Sequence, residues 1–220
     1  MLSIGIIDSG VPDPVPESLM EASSFVYDGR EVRQLWDQAI DQIGHGSAIT
    51  RIIATGVKEV SLYSARVFTD TLLTRPVQVA AALEWLLEQE VRIINMSFGL
   101  PQDRIALRRV CDRALDRGVI LVASAPARGK PVYPAAYPGV IRVCGDARCG
   151  PGEISWINNG QVDFGAHARS DSAAIAGASV AAARVTAAMA VMLATAPAAW
   201  GTELISRLGE SAAYVGREYR

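Results

Sequence analysis

Short, almost wholly apolar runs alternate with helical patterns along this chain, and that alternation restricts the fold more than any other feature. Leu2 to Ile7, Val60 to Phe68, Val91 to Met96, Val119 to Ala125 and Val140 to Cys144 read as strands. His45 to Ala54, Val77 to Glu90, Ile105 to Arg117, Ser179 to Thr195 and Thr202 to Ser211 read as helices. A strand that is apolar on both sides needs cover on both faces, and parallel sheets obtain it from the helices that connect their strands. The expectation is an α/β fold in three layers, a mainly parallel central sheet with helices on both faces. At 220 residues the chain can close such a core as one compact domain over residues 1–220. Gly10 to Ile43 shows neither period and is the least legible part; near Pro12 to Pro16 the prolines forbid regular structure, so a surface loop is expected at that point.

Composition excludes several functions. A net charge of −2 gives no electrostatic case for nucleic acid or an anionic membrane as partner. No run approaches the roughly 18 apolar residues of a spanning helix, and no signal peptide is visible at the N-terminus. Met1 lies seven residues before Asp8, which favours a complete cytoplasmic product. The odd set Cys111, Cys144 and Cys149 argues against a secreted disulfide framework. A Cys144–Cys149 disulfide or thiol switch is the functional alternative to three reduced, buried side chains. Neither a metal-ligand cluster nor a cofactor motif is present in the pattern, so no metal and no cofactor are expected.

Three islands carry chemistry: Asp8 in I-I-D-S-G, His45 in G-H-G-S and Ser179 in A-G-A-S-V-A-A-A. A serine hydroxyl is a weak nucleophile until an imidazole takes its proton, and the imidazole needs a carboxylate to hold its tautomer. Asp8 ends a buried strand, while His45 and Ser179 each open a helix. Ser179 at a helix N-terminus would also offer backbone N–H groups to a developing oxyanion. The bland readings are a packing serine in an alanine helix and a turn-forming Asp8. Of the two histidines, His167 in F-G-A-H-A follows a loop pattern, so His45 is the candidate base.

These islands and the segments around them resemble the subtilisin-like serine proteases, the subtilases. I-N-M-S-F-G from Ile94 to Gly99, V-I-L-V-A-S-A from Val119 to Ala125, Y-P-A-A-Y-P-G-V-I-R-V, I-S-W-I-N-N-G and G-A-S-V-A-A-A-R-V follow in family order. The resemblance implies a subtilisin-like fold and a catalytic Asp8, His45 and Ser179. It implies that Ser97, Phe98 and Gly99 form one wall for an extended peptide, with Ala123, Ser124 and Ala125 opposite. It also exposes a departure. Where the family reads A-G-N-x-G, this chain has Ala125-Pro126-Ala127-Arg128-Gly129, so Ala127 replaces the asparagine that donates to the oxyanion. In subtilisin, loss of that donor lowers turnover by roughly 10²–10³. The Ser179 backbone N–H remains, and Arg128 is a possible substitute.

The chain looks short for the family, and the expectation is that no pro-domain precedes Asp8. Together with the altered oxyanion loop, this points to an endopeptidase that removes a leader or propeptide from one cognate precursor. Subtilases do this in maturation systems for modified peptides and for cross-linked subunits such as the small subunit of quinohemoprotein amine dehydrogenase. The expected partners are a peptide or protein precursor and proteins of a maturation complex. The alternatives are a catalytically weak pseudoprotease acting as peptide-binding chaperone or scaffold, and an esterase or ligase using the same acyl-enzyme.

Overall fold

The computed structural model describes residues 1–36, 39–171, 175–198 and 201–218. The strands among these residues are β1 (Leu2–Asp8), β2 (Leu19–Tyr27), β3 (Val32–Leu35), β4 (Val60–Arg66), β5 (Ile93–Met96), β6 (Ile120–Ser124), β7 (Ile141–Gly145), β8 (Ile154–Trp156), β9 (Phe164–Ala166) and β10 (Tyr214–Val215). The helices are α1 (His45–Gly56), α2 (Pro76–Glu88), α3 (Ile105–Asp116), α4 (Ala178–Thr195) and α5 (Gly201–Glu210). The strands join in one sheet of order β10-β8-β9-β7-β6-β5-β1-β4-β2-β3. Pairing is parallel except at β2–β3 and β8–β9. The expected three-layer α/β architecture is therefore present, with helices on both faces of a mainly parallel sheet.

Strand pleating sorts the apolar side chains between the two faces. Ile4, Ile6, Ile93, Val122, Val143 and Phe164 pack under α1, α4 and α5. Ile7, Ile94, Met96, Leu121 and Ala123 pack under α2 and α3. Parallel strands buried on both sides are what the uninterrupted apolar runs require. Helix α4 is apolar nearly all round for the same reason. Its 18 residues have the length and hydropathy of a spanning helix, yet 56% of them are buried inside the protein.

The segment from Gly10 to Ile43, where the sequence shows no period, does hold regular structure beyond its proline loop. Pro12 to Pro16 carry no strand, but the chain then forms the nine-residue β2, parallel to β4, and returns as β3. In β2, L-M-E-A-S-S-F-V-Y, small polar residues occupy buried positions: Ser23 and Ser24 are fully enclosed, so no apolar alternation marks the strand. The short strands β8, β9 and β10 escaped the pattern because three or fewer residues show no period.

The burial map makes a direct stability prediction. Leu62 in β4 is fully enclosed, whereas Leu73 in the following loop is 81% exposed. Leu62→Ala should destabilise the fold by about 2–5 kcal/mol, and Leu73→Ala by no more than about 0.5 kcal/mol. Urea unfolding followed by circular dichroism measures both.

Candidate active site

β1 lies between β4 and β5, and from there the chain builds outward to β2 on one side and to β6 and β7 on the other. In open α/β sheets, ligands bind in the crevice beyond the carboxyl ends of the strands at such a switch point. Asp8 is the last residue of β1, and Ser97 directly follows β5. Strand pleating puts Asp8 on the face of Ile4 and Ile6, and Ser97 on the face of Ile93 and Asn95, where α1 and α4 pack. Those two helices begin at this edge, and they carry His45 and Ser179 in their first turns.

The Asp8 carboxylate is fully buried. Its Oδ1 accepts from Ser9 N–H at 2.7 Å and from His45 Nδ1–H at 2.7 Å, while Oδ2 has no partner among the described residues. Because an ionised carboxylate only accepts, the bond assigns the proton to Nδ1 and leaves Nε2 to gain or lose one. Glycines make this contact possible. A Cβ on Gly46 would lie 2.4 Å from Gly10 O, so the D-S-G and G-H-G segments touch backbone to backbone. Gly10 itself has φ +118°, and a Cβ there would strike Ala39 O at 2.2 Å. Ser9 closes the joint, its Oγ accepting from Gly46 N–H at 2.8 Å.

Asp41 belongs to the site, and sequence reading missed it. Its Oδ1 accepts from the N–H groups of Ile43 and Gly44, each at 2.9 Å, and its Oδ2 accepts from Ser47 N–H at 2.7 Å. It thereby caps α1, whose nominal N-cap Gly44 has no side chain to do so. Burial works to raise the Asp41 pKa, but these hydrogen bonds outweigh it and hold the carboxyl below the ordinary range. Burial likewise presses the His45 pKa down. The hydrogen bond and charge of Asp8, with the charge of Asp41, more than offset this, so the net shift is upward. An acidic residue four positions before a helix-opening histidine was the available signal.

Ser179 Oγ–H donates to Ser97 O at 3.0 Å rather than to His45. A buried chain of bonds fixes that partner. Thr186 Oγ1–H donates to Asn95 Oδ1 at 3.0 Å, Asn95 Nδ2–H donates to Ser97 Oγ at 2.8 Å, and Ser97 Oγ–H donates to Ser179 O at 3.1 Å. Thus α4 is hydrogen-bonded to the end of β5 at two points along its length. Asp8, His45, Ser97 and Ser179 converge on the crevice between β1 and β5.

Beyond Ser97, Phe98 and Gly99 lie outside the strand ladders until Leu100 pairs with Tyr133 through bonds of 2.7 and 2.8 Å. A cleft of about 320 Å³ lies alongside, lined by Ala125, Pro126, Val132 and Tyr133 among others. Val132 stands against Gly99, where a Cβ would approach it to 2.5 Å. On the second wall Ala125 faces this cleft, while Ala123 is fully buried within β6 and Ser124 nearly so. Ala127 and Arg128 are exposed in the loop after β6, and Ala127 brings no side-chain donor. His167 directly follows β9, its Nδ1–H donating to Cys149 O at 2.9 Å. Cys111, Cys144 and Cys149 are free and buried, which leaves the Cys144–Cys149 disulfide unformed. Burial pushes the Cys144 thiol up to about 11 and Cys111 up to about 12, so both stay protonated.

Comparison with known proteins gives the same architecture a family. The subtilase family (peptidase S8) matches residues 1–219. Subtilisin E of Bacillus subtilis (strain 168) is 29% identical over 158 residues, covering 64% of this chain and 40% of that protein. Subtilisin-like protease PopC of Myxococcus xanthus (strain DK1622) is 31% identical over 179 residues, covering 64% of this chain and 36% of PopC. The chain thus spans about two fifths or less of the length of these relatives. Among solved structures, sphericase has a TM-score of 0.73 at 18% identity, covering 95% of this chain and 82% of its own. The S41 psychrophilic protease has a TM-score of 0.72 at 18% identity, covering 97% and 85%. Both show the shared fold.

The raised His45 pKa has a defined sign for stability. Its protonated form is favoured by folding, so the contribution is complete below the unfolded value of 6.5 and is lost as pH rises through the higher folded value. Asp41→Asn removes one of the charges that raise it and turns an amide N–H₂ toward a backbone donor. The His45 midpoint, followed by NMR in a His167→Gln background, should move down, and the fold should lose about 1–2 kcal/mol. An unmoved midpoint would exclude Asp41 from the electrostatics of the site.

Proposed function

The chain belongs to the subtilase family, and from that membership we propose that it is a serine endopeptidase with Ser179 as nucleophile, His45 as general base and Asp8 as the group that orients and stabilises the imidazole. The observation that carries this reading is the 2.7 Å bond from His45 Nδ1 to a fully buried Asp8, made where Ser179 opens the neighbouring helix. The sequence of events starts with a turn of the Ser179 hydroxyl from Ser97 O toward His45 Nε2. Catalytic hydrogen bonds of this kind often tighten only when substrate binds. Neutral His45 accepts the proton as Oγ attacks the peptide carbonyl carbon, and Asp8 stabilises the imidazolium. The oxyanion is held by the Ser179 N–H at the start of α4. The proton then passes to the leaving amine, and water activated by the same histidine releases the acyl group.

Phe98 and Gly99, outside the strand ladders among the described residues, offer their backbone to an extended peptide, and the 320 Å³ cleft beside them takes the side chain before the scissile bond. Val132 narrows that cleft, which supports a small residue there. The exposed Ala127 in place of a donor supports slow turnover on generic peptides. Both features fit dedicated removal of a leader or propeptide from a cognate precursor better than broad digestion. The free thiols support a reducing compartment, the cytoplasm in our reading.

A fluorophosphonate probe should add one label to the wild type and none to Ser179→Ala; label surviving that substitution excludes Ser179. Activity on the cognate precursor should rise through one ionisation above pH 6.5, in the direction of the His45 shift, and vanish in His45→Ala but not His167→Ala.

Ala127→Asn, paired with Pro126→Gly to free the loop, should raise turnover on short peptides by less than the roughly 10²–10³ seen for the reverse change in subtilisin. KM should change little, because the added donor acts on the transition state. If neither variant gains, Arg128→Gln tests whether that guanidinium supplies the donor. No effect from any of them, with no turnover of the wild type, would return the peptide-binding pseudoprotease as the better reading.

A further inference from the structure

A second and larger cleft, of about 670 Å³, opens at the ends of β7 and β9, and it is tied to the same helix. Gly145 and Ala168 line it, Gly177 N–H donates to Ala168 O at 2.7 Å, and Gly177 caps α4 two positions before Ser179. Ala127 lines it as well, so this cleft borders the position where the family's oxyanion donor is replaced.

Three arginines from three separate segments converge on the cleft: Arg128 after β6, Arg169 after β9 and Arg217 after β10. None of them forms an ion pair among the described residues. Arg217 donates to the Ala127 carbonyl oxygen at 3.5 Å. The lining also holds two carboxylates, and the first is already balanced. Asp146 receives the Arg148 guanidinium at 2.7 Å and the Ser155 hydroxyl at 2.6 Å. Glu218 is the other, a single negative charge against the three arginines. The cleft therefore keeps an excess of positive charge on a chain whose net charge is −2. Guanidinium forks match a carboxylate in shape and hydrogen bonding, and a concave site of one sign concentrates the opposite charge.

We propose that this cleft is a carboxylate-binding subsite that selects peptides bearing an Asp or Glu side chain, or a free C-terminal carboxylate, within a residue or two of the bond presented to Ser179. The peptide nature of the ligand rests on the endopeptidase reading above, whereas the preference for a carboxylate rests on the arginines alone. Three partly exposed guanidinium groups contribute modestly one by one, and together they account for about a tenfold preference.

The test uses the full chain carrying Ser179→Ala and fluorescein-labelled octapeptide pools read by fluorescence anisotropy. One C-terminally amidated pool contains Asp and Glu, its twin contains Asn and Gln, and a third carries the amide residues with a free C-terminus. The expected result is about tenfold tighter binding of the acidic pool, or of the free-carboxylate pool, than of the neutral twin, and the stronger of the two identifies the source of the carboxylate. The preference should shrink in Arg169→Gln and in Arg217→Gln and disappear in the triple variant with Arg128→Gln, whose melting curve reports on its fold. Equal binding of all pools, or a preference that the folded triple variant retains, overturns the proposal. Fluorophosphonate labelling of the wild-type chain is scored in parallel. A labelled chain without carboxylate preference loses only the subsite, and an unlabelled chain with the preference loses only the peptidase reading.

Discussion

A single charged hydrogen bond, from His45 Nδ1 to the Asp8 carboxylate, sets the terms for the structure around it. A carboxylate without solvent is costly to bury unless its charge is met by donors. Asp8 meets that condition on one oxygen only, through Ser9 N–H and His45, and leaves the other without a partner among the described residues. The arrangement therefore demands that the first turn of α1 lie directly on the turn after β1. Gly10 and Gly46 satisfy the demand, since their backbones meet at a spacing that no side chain could enter. Asp41 then holds that helix end from the other side and adds a second negative charge near the imidazole.

The second helix is brought in by neutral polar groups. Thr186, Asn95 and Ser97 form a buried chain that ties α4 to the end of β5, and Ser179 is one member of it through both its carbonyl and its hydroxyl. Pleating explains why the two systems meet. Asp8 and Ser97 end neighbouring parallel strands and face the same side, so whatever they bind must lie within one strand spacing of each other. The site is the product of register, and a one-residue slip of β5 against β1 would turn Ser97 to the opposite face.

Much of this was legible in the sequence, for reasons that mark the boundary of such reading. Buried parallel strands and the helices between them announce themselves because burial on both faces leaves apolar runs, as in Ile4 to Ile7 and Val119 to Ala125. Asp8, His45 and Ser179 could be singled out because each stands at an element boundary among small residues, in motifs whose order resembles that of the subtilases. β2 was hidden because Ser23 and Ser24 fill positions where an apolar residue would have shown the period. Asp41, Ser9 and Asn95 act through backbone amides or through a neighbour's hydroxyl, and such partnerships leave no periodic trace. The arginine-lined cleft was invisible for a further reason, since Arg128, Arg169 and Arg217 come from segments far apart in the chain.

The central claim is that these contacts prepare Ser179 to form a covalent bond with an acyl group. Rapid mixing of the chain with p-nitrophenyl acetate, followed by acid quench and peptide mapping by mass spectrometry, addresses it most directly. The account predicts a burst of p-nitrophenol equal to the enzyme present and an acetyl group on the peptide that contains Ser179, with neither in Ser179→Ala and a much slower burst in His45→Ala. Absence of a burst in the folded wild-type chain, or acetylation of another residue in its place, would contradict it.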